Sequence, residues 1–433
     1  MQALLSFDQG PPISAPFRYF LTAPLFAISA GLLLLCSGPE VFASRWTPQA
    51  LALTHLITVG FMMQVVLGAL QQLLPVMAGA NFQRPLLVAT TVHAAITAGG
   101  ILLVLAFLTS VPLLFGCAAA ALGSGVVTFI GAALQALQGV PSGSPIVRGL
   151  RLGLLGLLVT VVIGLLNAVF MGWSVAMPLQ QLANVHLGWG FVGWGCVVLA
   201  VVGSVVVPMF QQTPHYPGWF NRGFPVSAIA IVTLWTAAEL SDYPRSAVAL
   251  SVGVVLVSAS LAFITLKLLL RSKRPRLDAV QWLWRVAMVS ALVACALWLL
   301  AQASETLAQW QVWPLLFGTL LLFGGFMPVI LGMLYKIVPF LVWLHLQNLG
   351  HGRLLAPNVK KVLAEKHING QMQAHFAAYG LLLLAALWPN WFVYPAGVAL
   401  VFANGWLLRN LLSAVAVYRS HVAKLEKIDA PQT

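Results

Sequence analysis

Twelve stretches of this 433-residue chain are apolar for long enough to cross a lipid bilayer, for which about 20 residues suffice. They run roughly 17–38, 48–78, 86–108, 110–138, 146–171, 178–209, 225–240, 244–270, 280–302, 310–345, 370–388 and 391–416. In hydrocarbon every backbone N–H and C=O must find its partner inside the protein, which leaves helices or closed barrels. Continuous apolar runs of this length read as helices. The expected fold class is therefore an all-α polytopic membrane protein of about twelve transmembrane helices, one transmembrane domain over 1–433. Composition agrees: 60% of residues are hydrophobic and 7% charged, with a mean hydropathy of +0.94, where a soluble domain carries roughly a quarter charged residues.

The formal charge of +13 does not point to nucleic acid, because the basic residues are scattered along loop ends. With both termini cytoplasmic, the outward connections carry only Arg45 and Arg245 of the 22 basic residues. The other side takes the rest, including RSKRPR (271–276), Arg353, Lys360, Lys361 and Lys366. That is the positive-inside pattern, and it implies a multi-pass protein of a bacterial-type inner membrane. The first twenty residues lack a basic start and a small-residue cleavage site, so no signal peptide is expected.

One helix recurs. Residues 48–78 carry His55 near the start and Gly68 and Pro75 near the end; Gly332 and Pro339 repeat that last spacing. Gly60-Phe61-Met62 answers to Gly325-Phe326-Met327, one residue out of step. Between them NVHLGWGFVGWG (184–195) sets His186 at the start of a run ending at Pro208. The expected organisation is three sets of four spans, about 17–138, 146–270 and 280–416, with the shared helix second in each set. A weaker echo joins His93 with Gly99 to His375 with Gly380.

An ionisable group inside a membrane marks a site by default, and neutral imidazole is the commonest metal ligand and a frequent haem ligand. His55 and His186, on different helices at similar depth, are the candidate haem or metal ligands. Each also suits a hydrogen bond to a neighbouring helix. His93 and His375 are further metal-ligand candidates with the same alternative. Gly60, Gly68, Gly188, Gly190, Gly193 and Gly195 either let helices approach or clear a face for a flat cofactor. Trp189 and Trp194 either wall such a pocket or anchor at the interface. Lys336 either snorkels to the interface or grips a cofactor propionate or a quinone head. His345, His351 and His367 read as solvated, and His215 and His421 as loop and tail residues. The four cysteines read as buried thiols in helices. All nine carboxylates lie in loops, tails or span ends, which weighs against proton pumping and ion-coupled transport.

Twelve spans, cytoplasmic termini, a three-by-four repeat and an outer histidine early in span two resemble subunit I of the haem–copper oxidase superfamily. The NnrS-type membrane proteins of the nitric-oxide response look like a relative. The resemblance implies that His55 is an axial ligand of a low-spin haem and that His186 corresponds to the span-six histidine that holds copper. The superfamily's span-seven histidine pair is absent from 225–240, and its span-ten histidines are absent from the membrane part of 310–340. The expectation is a haem- or metal-binding membrane protein with a redox, nitric-oxide-response or metal-related role but no complete oxygen-reducing centre. Its partners would be lipid and an electron donor or respiratory-complex subunits. The alternatives are a permease or carrier, and a non-catalytic subunit or assembly factor of a respiratory complex.

Overall fold

A computed structural model describes residues 10–141, 143–241, 243–350 and 354–429. His351, Arg353, Asp8 and Asp242 lie outside them. The described residues are helical, without strands. The long helices, named here in chain order, are α1 (Ser14–Ser37), α2 (Pro48–Ala78), α3 (Pro85–Thr109), α4 (Pro112–Gln138), α5 (Pro145–Gly172) and α6 (Leu179–Gln211). They continue as α7 (Gly218–Glu239), α8 (Pro244–Leu270), α9 (Ala279–Ala303), α10 (Trp313–Gly350), α11 (Glu365–Leu387) and α12 (Pro389–Asp429). Among the described residues ten helices are long and apolar enough to cross a membrane, as befits a polytopic membrane protein. The other two, α7 and α11, occupy the seventh and eleventh expected spans with 22 and 23 residues.

Proline opens many of these helices. Pro48, Pro85, Pro112, Pro145 and Pro244 all stand in the first turn, where the missing N–H would be unpaired anyway. Neighbours follow a regular scheme. Within each consecutive set of four, the third helix packs on the fourth: α3 on α4, α7 on α8, α11 on α12. The fourth then packs on the first of the next set: α4 on α5, α8 on α9, and α12 back on α1. This closes a ring around α2, α6 and α10. The most apolar stretches of those three are 72%, 56% and 67% buried, against 17–44% for the other seven spans.

Each central helix also changes its winding. Leu56–Met63, Trp189–Cys196 and Leu320–Phe326 are π-helical, a rare geometry that is frequent at functional sites. In each helix the proline follows the first π residue by the same interval: Leu56 to Pro75, Trp189 to Pro208, Leu320 to Pro339. The prolines themselves lie inside continuous helix. The irregularity sits a few turns before them, so the prolines are not breaks in the helices.

Candidate functional site

The three π segments line a cavity of about 1190 Å³, larger than the roughly 300–1,000 Å³ that holds most small ligands. Its walls come from α2 (Thr58, Met62), α6 (Phe191, Trp194) and α10 (Phe323, Phe326). Arg45, Gln180, Ser241 and Ala308, from the chain ends and links on one side of the bundle, line it too. The cavity therefore reaches that side, called here the Arg45 end.

His55 and His186 both line the cavity, one from α2 and one from α6. Their ring centroids are 6.4 Å apart and their planes 17° from parallel. His55 Nδ1 lies 2.8 Å from the Leu51 carbonyl oxygen and His186 Nδ1 lies 2.9 Å from that of Thr160. A carbonyl only accepts, so both Nδ1 atoms carry the proton and both Nε2 atoms keep a lone pair. Neither Nε2 has a hydrogen-bond partner among the described residues. This is the tautomer that metal-ligating histidines take when their other nitrogen is fixed by a carbonyl. Phe107 packs on the His55 ring at 5.0 Å. Across the cavity wall, a Cβ built on Gly164 would stand 2.7 Å from His186 Cε1, so α5 is cut back to seat that ring.

The donor set fits a metal: the two rings lie near-parallel and stacked, 6.4 Å between centres, and each keeps an imidazole lone pair of the kind that binds transition metals at about 2.0–2.1 Å. Among the described residues no group of three or more His, Cys, Asp or Glu is gathered to hold a metal ion. Two imidazoles are a sparse set for a bare ion, and His55 and His186 are the residues that would hold a haem iron. Two further buried atoms of the cavity wall lack partners: Asn167 Oδ1, an acceptor, and Trp194 Nε1, a donor.

The other expected site residues lie elsewhere. His93 Nε2 meets Thr22 Oγ1 at 2.8 Å, and its ring stands edge-on to Tyr19 at 5.2 Å. His375 is 1% exposed and donates from Nε2 to the Phe323 carbonyl at 3.1 Å, leaving Nδ1 without a partner. That carbonyl belongs to the third π segment. Neither ring lines the cavity. Lys336 does not line the cavity; its Nζ is bonded to Asp278 Oδ2, at the start of α9, at 2.8 Å. Asp278 also takes Arg274 Nη1 at 2.6 Å and caps α9 by accepting from Gln281 N. Burial alone would raise the Asp278 carboxyl; the Lys336 hydrogen bond and the nearby cationic charges outweigh it and hold the group below the usual carboxylate range.

Several sequence expectations change. Cys36 and Cys117 are exposed on the helix surface, while Cys295 is buried, and all four thiols are free. Trp189 and Trp194 are buried, with Trp189 Nε1 donating to Thr236 Oγ1 at 2.9 Å, so they are not interface anchors. A Cβ on Gly60 or Gly188 would stand 2.3 Å from Phe26 or Trp235, so those two serve close packing; Gly190 lies on the cavity with nothing nearer than 3.4 Å. His345 falls inside α10, half-buried, rather than in a solvated loop. His421, expected in a tail, sits half-buried on α12.

Sequence reasoning missed three cavity residues. Arg45 Nη2 donates to Asn184 Oδ1 at 3.2 Å, and Asn184 Nδ2 donates to Glu239 Oε1 at 3.0 Å. All three line the cavity. The available signal was local: Asn184 stands two residues before His186, and Arg45 precedes Trp46 at the threshold of the repeated helix. Glu239, dismissed as a span end, is the last residue of α7 and turns toward the ligand space. No protein-family model matches the chain, and no curated protein matches it.

Proposed function

We propose that this chain is an integral membrane protein that binds haem, or a single metal such as copper, between His55 and His186. Its role would be redox, nitric-oxide-response or metal-related chemistry rather than oxygen reduction. The observation that carries the reading is the histidine pair itself: two facing-wall imidazoles, each with Nδ1–H fixed on a carbonyl and Nε2 unoccupied by any hydrogen bond. A bound iron or copper would supply one-electron chemistry; the protein fixes the tautomer, seats the rings and excludes bulk water with an apolar wall. Phe107, Met62 and Phe326 belong to that wall.

The finer architecture in this reading is twelve transmembrane helices as three repeats of four, in the manner of haem–copper oxidase subunit I. The recurring helix contacts and the equal interval from π segment to proline support the repeat. The oxidase likeness rests on the span-two histidine and on the inward-facing α2, α6 and α10. The two histidines are not in register within their repeats: His55 directly precedes its π segment, while His186 precedes its own by three residues. In the third helix Thr319 and Phe317 stand at those positions. The superfamily's other histidines are missing from this chain, so fold likeness alone does not carry its reaction across. A multi-pass inner-membrane location with both termini cytoplasmic completes the reading, with an electron donor or respiratory-complex subunits as partners.

The test is occupancy. Purified in detergent, the protein is expected to carry one haem, seen by its Soret band, or one metal ion per chain. His55→Ala and His186→Ala should each lower occupancy at least about tenfold. A wild-type protein with neither haem nor stoichiometric metal after growth with both supplied would reject the reading.

A further inference from the structure

Arg45 and Glu239 are opposite charges at the same opening that do not neutralise one another. The ion pairs among the described residues are those of Asp278 with Arg274 and Lys336; Arg45 and Glu239 form none. Asn184 stands between them, taking Arg45 on its oxygen and giving its amide hydrogen to Glu239. Arg45 stacks on Trp46, its guanidinium carbon 4.6 Å from the ring centre, and is half-buried. Burial pushes its pKa down from the ordinary guanidinium value, so the site leaves a cation incompletely solvated and, among the described residues, without an ion-pair partner. Such groups are rarely left uncompensated.

The rim beside these charges is apolar. Trp46, Met171, Leu187 and Val248 are both exposed and part of the cavity lining. Trp46, Met171 and Val248 stand at or near helix ends, the depth at which amphipathic aromatic residues meet the lipid headgroups. Behind them one arm of the cavity runs between α8, α9 and α10, lined by Val255, Trp298 and Phe317. It departs from the α5 wall that carries Thr160 and Gly164 beside the histidines. The opening thus presents a cation, an anion a side chain away, and an apolar channel behind.

We propose that this opening binds a membrane phospholipid whose head carries both a phosphate and an ammonium group. The phosphate pairs with the Arg45 guanidinium, whose fork suits phosphate oxygens. The ammonium pairs with the Glu239 carboxylate. Asn184 holds the two charges at a fixed separation, and an acyl chain lies in the α8–α9–α10 arm. This assignment is independent of the haem or metal reading, since it uses neither histidine.

The experiment measures lipid retained by the full chain. Protein purified in mild detergent is exchanged into micelles containing equal amounts of an ethanolamine-head and a glycerol-head phospholipid, and bound lipid is counted by native mass spectrometry. The wild type should retain the ethanolamine-head lipid about tenfold over the glycerol-head lipid. Arg45→Gln should lower retention of both. Glu239→Gln should remove the preference while leaving glycerol-head binding in place. Val248→Trp, at an exposed helix position that tolerates bulk, should block the arm and lower both without touching a charge. His55→Ala should leave lipid retention unchanged, which separates this site from the haem or metal site. Equal retention of the two lipids by the wild type, or retention indifferent to Arg45→Gln and Val248→Trp, would overturn the proposal.

Discussion

The two ends of the central helices are built on opposite principles. At the Asp278 end the charges beside α10 form one cluster. Lys336 and Arg274 converge on Asp278, and Arg274 Nη2 also holds the Phe210 carbonyl at 2.7 Å. Ser272 donates to the Gln211 carbonyl at 2.6 Å and accepts from Gln281 at 2.7 Å. The link between α8 and α9 therefore ties the last turns of α6 to α10. At the Arg45 end the charges are unpaired, Asn167 Oδ1 and Trp194 Nε1 are orphaned, and two imidazoles offer free lone pairs. The first end gathers its charges into one cluster that ties the fold, though Gln211 Oε1, Gln281 Oε1 and Arg274 Nε there also lack partners. The second leaves two charges without an ion pair beside two imidazole lone pairs on the cavity. Substitutions should divide the same way: stability lost at the first end, ligand lost at the second.

The largest effect lies between the two ends, where neither principle tolerates change. A Cβ on Gly156 would stand 2.0 Å from the Gly193 carbonyl oxygen and 2.3 Å from its carbon. That is backbone against backbone, and no rotamer relieves it. Gly156→Val should cost about 3 kcal/mol or more, and should appear as loss of monodisperse protein and a much lower midpoint in thermal unfolding. Normal stability in this variant would mean that α5 does not lie on the second π segment.

Asp278→Asn should come next. Asparagine caps a helix nearly as well as aspartate, so the change removes charge and keeps the cap. The loss should be about 1.5–3 kcal/mol, the worth of hydrogen bonds to a charged group, read as a lower unfolding midpoint. Because the folded-state pKa of Asp278 is depressed, its contribution is complete above the unfolded carboxylate value of about 3.9 and is lost as pH falls through the folded value. The wild type should therefore lose its advantage over Asp278→Asn in acid and hold it unchanged from pH 6 to 8. A gap that does not narrow at all as the pH falls below the unfolded carboxylate value of about 3.9 would place the stabilisation outside this ion pair.

Much of the helical layout was legible because hydropathy and proline act locally. The apolar runs marked the ten strongly apolar spans, and Gly68–Pro75 with Gly332–Pro339 marked two of the three central helices. The π segments were not legible, since nothing in LITVGFMM or LLLFGGF distinguishes widened from ordinary helix. The candidate site was half legible. His55 and His186 stood out as lone polar residues in apolar runs, whereas Arg45, Asn184 and Glu239 gain meaning only by meeting across 139 and 55 residues of chain. The partner of Lys336 was illegible for the same reason, being 58 residues away.

The finest division between the two ends is a single methyl group. Gly164 faces His186, and a Cβ there would stand 2.7 Å from Cε1 and 3.1 Å from Nδ1. The obstacle is a side chain that can swing into the cavity, so the fold can absorb the change. Gly164→Ala should alter stability by less than about 1 kcal/mol, since alanine is also the better helix former. What it should not spare is the ring's position, because Nδ1 cannot stay 2.9 Å from the Thr160 carbonyl once the ring is pushed aside. With that bond lost, the tautomer is no longer fixed and Nε2 no longer faces the place it occupied. Haem or metal occupancy should fall about tenfold while the unfolding midpoint of the ligand-free protein barely moves. Full occupancy in Gly164→Ala would show that His186 is a packing residue like His93, and that the contrast between the two ends stops at the charges.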